Sequence, residues 1–163
     1  ANAIVDHVQR HGKPDKLVLS YHGMPELFRQ LGDPYYDFCI KTTDLLKQEL
    51  LSSQSNAELC FKDDDVMSTF QSRFGKAQWL QPYTDETLGL LPAQGNKHIA
   101  ILSPAFSSDC LETLEELEGE NREIFMEAGG ETYHYIAALN DRDDHIDALL
   151  SVLTPALGTP SSN

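Results

Sequence analysis

The sequence predicts an α/β domain: a four-stranded parallel sheet flanked by helices on both faces. Two observations predict it. Four short apolar segments, bounded by polar or turn-forming residues, have the length and composition of strands. Helical patterns lie between and after them, and this alternation implies right-handed βαβ crossovers and hence parallel pairing. At 163 residues the chain has the length of one domain, with apolar side chains enough for one core.

The opening ANAIVDHVQRHG has no initiating Met and reads as helix, so we expect a piece of a longer protein. Lys16–Tyr21 is the first strand. Pro34–Leu51 is the first long helix, with Asp33 as its N-cap and Pro34 at its first position. Ser52–Asp65 is polar, carries the run Asp63-Asp64-Asp65, and is expected to be a solvated loop. Val66–Phe70 forms the second strand, Asp85–Leu91 a short helix and His98–Ser103 the third strand. Asp109–Ala128 is a long helix closed by Gly129-Gly130. Thr132–Ala137 is the fourth strand and Asp143–Leu153 the last helix. The domain is therefore expected over 1–153. Residues 154–163, rich in Pro, Gly and Ser, should form a flexible tail.

Twenty-six acidic against 12 basic side chains leave a net charge of −14. That balance argues against nucleic acid and anionic membrane surfaces, which need clustered Lys or Arg, and suits cations. Cys39, Cys60 and Cys110 are odd in number and too far apart for a CxxC pair, so reduced thiols and a cytoplasmic location are expected. No apolar run approaches the roughly 18 residues of a membrane span, and no membrane association is indicated.

The segment LVLSYHGMP, Leu17 to Pro25, ends an apolar strand abruptly at His22-Gly23. A strand stopping in this way delivers its last polar side chain to the carboxyl edge of the sheet, where open parallel sheets bind ligands. A histidine there can bind a metal or accept a proton, or serve only as a hydrogen-bonded loop residue. With the doubly wound order 2-1-3-4, the first and third strands are neighbours. The crevice then lies between the loops after them, which hold His22 and Ser103–Glu112.

DCLETLEELEGENRE, Asp109 to Glu123, carries seven carboxylates and one arginine. At α-helical periodicity Leu111, Leu114, Leu117, Ile124, Phe125 and Ala128 share a face that should pack on the sheet. Glu112, Glu116 and Glu120 fall nearly opposite, about 6 Å apart along the axis. Such a row is either a solvated face or a series of oxygen ligands for divalent cations. Like charges at this spacing destabilise a helix slightly, so neutralising them should leave stability unchanged or improved.

Together SYHGMP, GDPYYDFC, FQSRFG with WLQPYTDET, and SPAFSSDCLETLEELEGENRE, in this order and spacing, resemble ferrochelatase of the bacterial type. The resemblance runs from about Lys16 to Leu153 and matches the C-terminal half of that family. It implies a Rossmann-like chelatase domain and insertion of Fe(II) into protoporphyrin IX, the terminal step of haem synthesis. His22 and Glu112 match the facing active-site histidine and glutamate, as catalytic and metal-binding residues. Glu116 and Glu120 match an acidic path leading outward, where some members bind a second divalent cation. Trp79 matches a tryptophan at the edge of the porphyrin pocket. Asp109 is expected to support the glutamate, and Tyr21, Ser72 and Arg73 to lie on nearby loops.

Three departures accompany it. The N-terminal domain that supplies the other porphyrin wall is absent from this sequence. Cys110 stands where some relatives have histidine. The cysteine motif that binds an iron–sulfur cluster in some members is missing, so no such cluster is expected. The implied chemistry suits the residue types, because an imidazole and a carboxylate can bind a divalent ion and remove pyrrole protons. Rival readings are a chelatase for another tetrapyrrole, such as a cobalt chelatase, and a non-catalytic metal- or porphyrin-binding fragment.

Overall fold

The computed structural model describes residues 1–52 and 61–157. Its strands are β1 (Lys16–His22), β2 (Val66–Gln71), β3 (His98–Leu102) and β4 (Thr132–Tyr135). They form one sheet in the order β2-β1-β3-β4, every pair parallel, as the sequence predicts. The helices are α1 (Asn2–His11), α2 (Glu26–Gln30), α3 (Tyr35–Ser52) and α4 (Thr84–Leu90). A π-helix over Glu112–Glu120 then runs into α5 (Asn121–Glu127), and α6 (Asp143–Leu157) follows β4. Cys60, most of the polar loop and residues 158–163 lie outside the described residues. Asp63–Asp65 form one 3-10 turn, with Asp65 paired to Lys13 at 2.6 Å. The last helix passes the expected boundary at Leu153 and includes Pro155.

Alternation along β1 sorts the core into two layers. Leu17, Leu19 and Tyr21 pack with Ile4 and Val8 of α1 and Cys39 and Leu50 of α3. Val18 faces the other way, with Leu88, Ile99, Ile101, Leu117, Phe125 and Tyr133. Burying each such side chain stabilises the fold by roughly 1.5–3 kcal/mol. Tyr21, expected on a loop, is instead core: it is fully enclosed, with its hydroxyl 2.9 Å from that of Thr43. Asp33 caps as expected, its Oδ1 accepting the Tyr35 N–H at 2.9 Å.

The acidic segment departs from the expected α-helix. Its buried positions are Thr113, Leu117, Asn121 and Phe125, every fourth residue. In an α-helix, positions four apart drift by about 40° per step. The wider π turn, bonded i to i+5, counteracts that drift and keeps the four on one line. Leu111 and Leu114, expected to pack on the sheet, are 67% and 48% exposed. Ala128 is exposed as well. Each of Glu112, Glu116 and Glu120 immediately precedes a buried residue, so the carboxylates run along the flank of the buried line and not opposite it.

Candidate functional site

His22 is the last rung of β1, paired in register with Gln71 of β2. Parallel partners point to the same side, so both side chains join Ser20 on the π-helix face. The chain can turn sharply after His22 because the next residue is glycine. Its N–H donates to the Gln71 carbonyl at 2.8 Å. A methyl group on Gly23 would lie 2.6 Å from that oxygen and 3.0 Å from the Trp79 ring. His22 Nδ1 is 2.8 Å from the Gly23 carbonyl oxygen. A carbonyl only accepts, so Nδ1 is the donor, and Nε2 is the nitrogen without a protein partner among the described residues. The Phe106 ring lies 6.4 Å from the imidazole, centre to centre.

Glu112 opens the π-helix. Its carboxyl is lowered from the ordinary value by the Cys110 thiol, then by its own backbone N–H, against a small opposing effect of burial. The Cys110 thiol is pushed up by burial and by Glu112. Gln71 connects the two sides of the site: its Nε2 donates to the Glu112 backbone carbonyl at 2.8 Å, while its Oε1 accepts from Ser20 at 2.8 Å. Beneath lies an uncharged layer. The Ser20 hydroxyl is 2.8 Å from that of Thr84, which is 2.9 Å from that of Thr69, and the Ser103 hydroxyl donates to the Ser20 carbonyl. All five side chains are buried.

Glu116 is engaged with protein. Ser72 donates to it twice, from backbone and hydroxyl, and Gln71 Nε2 stands 3.4 Å away. Glu120 is exposed and, among the described residues, has no ion-pair partner. Both line a cleft of about 210 Å³ with Gln71, Ser72, Arg73 and Asp85. Arg73 is committed to Asp85 and Glu86, at 2.9 and 2.8 Å. Asn121 also lines the cleft; its Nδ2 donates to the Glu116 carbonyl, and its buried Oδ1 has no partner among the described residues.

Trp79 lies beneath Gly23 and is 6% exposed, so its ring offers support to the turn and no open face. The exposed ring beside it belongs to Phe74, 5.0 Å away and 77% exposed. Asp109 fastens the start of the helical segment to the end of β4. It accepts from the Tyr135 hydroxyl at 2.6 Å, Asn140 Nδ2 at 2.8 Å and Thr113 Oγ1 at 3.1 Å. Sequence reasoning missed Gln71, Asn121, Phe74 and Phe106. The signals for the polar layer were Ser20 interrupting the apolar run of β1 and the polar residues Thr69 and Gln71 within β2.

The geometry is matched by similarity along nearly the whole chain. The model of the Ferrochelatase family matches residues 1–157. "Ferrochelatase 2" of Shewanella oneidensis is 57% identical over 156 residues, covering 96% of this chain and 45% of that protein. The ferrochelatase of Hydrogenovibrio crunogenus is 51% identical over 153 residues, 94% of this chain and 38% of the relative. That of Proteus mirabilis is 49% identical over 152 residues, 93% and 44% respectively. The chain thus spans about two fifths of the length of these curated relatives. With its family model matched from the first residue to the last described one, the chain belongs to the ferrochelatase family.

Proposed function

We propose that this chain supplies the metal-site wall of a ferrochelatase that inserts Fe(II) into protoporphyrin IX to form protohaem. One observation carries the reading: His22 ends β1 with Nε2 uncommitted, facing Glu112, whose carboxyl is lowered chiefly by the Cys110 thiol. Family membership supports the same reaction. An ionised carboxylate is a hard ligand for an incoming divalent ion, whereas a neutral imidazole nitrogen is the better acceptor for a pyrrole proton. Glu112 therefore receives the metal, and His22, after offering a nitrogen to the same ion, takes the two pyrrole protons in turn and passes each to solvent. Glu116 and Glu120 flank the approach, where a second divalent cation is held by the exposed carboxylate of Glu120. Trp79 supports the turn under the macrocycle edge, and Phe74 and Phe106 supply apolar contact.

The other porphyrin wall comes from a further domain, which the greater length of the relatives supports. Among the described residues no helix is long and apolar enough to cross a membrane. The proposal places the enzyme in the cytoplasm, with no nucleic-acid partner and no iron–sulfur cluster. The test is metal insertion by the full-length protein and by this chain alone, with Fe(II), Co(II) and Zn(II) against two macrocycles. The expected result is turnover of Fe(II) with protoporphyrin by the full-length protein and little by this chain. Preference for another metal and macrocycle, or near-normal turnover by the chain alone, would overturn the reading.

A further inference from the structure

Three imidazoles meet at the far end of the sheet from His22. His7 and His11 stand one turn apart on α1, the i, i+4 spacing by which a helix presents two imidazoles to one ion. His134 projects from β4 to meet them. Ring centres are 4.6 Å apart for His7 and His11, 4.6 Å for His11 and His134, and 5.0 Å for His7 and His134. A tetrahedral ion bound at about 2.0–2.1 Å by three imidazole nitrogens holds the ring centres roughly 5 Å apart. The three rings line a cleft of about 140 Å³ together with His98, Thr132 and Lys13, whose ammonium is paired with Asp65.

We propose that His7, His11 and His134 form a structural site for a borderline divalent ion of the zinc, nickel or cobalt class, tying α1 to β4. Among the described residues none of the three rings hydrogen-bonds to another protein group through a side-chain nitrogen, although His7 is buried. Burial, and then His11 and His134, lower the His7 pKa to about 4, so the imidazole keeps its lone pair at neutral pH. Neutral imidazoles suit zinc, copper and nickel, and three of them leave a fourth position for water. Among the described residues no group of three or more His, Cys, Asp or Glu side chains is already arranged to hold a metal ion. Here the ring centres have the required spacing, but the His7 and His11 rings stand nearly parallel, 28° apart, so binding requires rotation about the soft ring torsions, freest at exposed His11.

The test is calorimetric titration of Zn(II) into the protein, alongside its thermal unfolding with and without Zn(II). His22→Ala should keep the binding event that raises Tm. His11→Gln, at an exposed position, should fold normally, lose at least tenfold in affinity for that event and show no rise in Tm; His134→Gln should behave alike. Unchanged Zn(II) affinity in His11→Gln and His134→Gln, or loss of all binding in His22→Ala, would overturn the site.

Discussion

Ser72 grips both carboxylate oxygens of Glu116, one through its backbone N–H at 2.6 Å and the other through its hydroxyl. Ser72 itself has a φ of 64°, in the left-handed region that serine rarely enters. The pair therefore fastens the middle of the π-helix to the turn that follows β2. Hydrogen bonds to a charged group each contribute about 1.5–3 kcal/mol, whereas relief of like-charge repulsion on a helix is worth only about 0.2–0.5. Glu116→Ala should accordingly destabilise the protein by about 1–3 kcal/mol in denaturant unfolding. A neutral or stabilising effect would mean the carboxylate is merely one of a row of surface charges.

Gly23→Ala should disturb the site without touching a reacting group. The added methyl would sit 2.6 Å from a backbone oxygen and 3.0 Å from the Trp79 ring, and overpacking of this kind costs about 1–3 kcal/mol. Trp79 is the one tryptophan in the chain, so its fluorescence reports the change directly. We expect a lower Tm and a red-shifted emission as the ring gains water.

His22→Ala and Glu112→Gln in the full-length enzyme should each leave less than a tenth of the chelation rate, a barrier increase above about 1.4 kcal/mol. Both side chains stand at the edge of the sheet, so neither change opens a core cavity and circular dichroism should be unchanged.

Acid should loosen the start of the helical segment through Asp109. Burial pushes its carboxyl up, but bonds from Asn140, Tyr135, the Ala138 N–H and Thr113 together outweigh this and leave it below the ordinary value. A carboxyl lowered in the folded state contributes stability above its unfolded pKa of about 3.9, and that contribution is lost as pH falls through the lower folded value. Asp109→Asn should be less stable than wild type at pH 7, with the gap narrowing below about pH 4. Unfolding midpoints of the two proteins across this range provide the check.

The sheet was legible because strands alternating with helices leave few topologies, and His22 because a polar residue ends an apolar run. The π-helix was not. Periodicity counts apolar residues, and two of the four side chains on its buried line are Thr113 and Asn121, which such counting passes over. Leu111 and Leu114 then drew the expected face toward solvent-exposed positions. The bonds that hold Glu116 were not legible either: Ser72 lies 44 residues earlier, just after a strand, and no local pattern records it. Trp79 was named, but its burial beneath Gly23 depends on a glycine 56 residues away.

The layer under the site, Ser20, Thr69, Gln71, Thr84 and Ser103, is made of hydroxyls and one carboxamide. None of these groups gains or loses charge anywhere near neutral pH. Gln71 Oε1 and the Ser20 carbonyl only accept, while the Thr69 and Thr84 hydroxyl protons can rotate without moving a heavy atom. The floor thus adapts as a polarisable medium while its net charge stays at zero. Any pH dependence of events above it belongs to the residues standing on it.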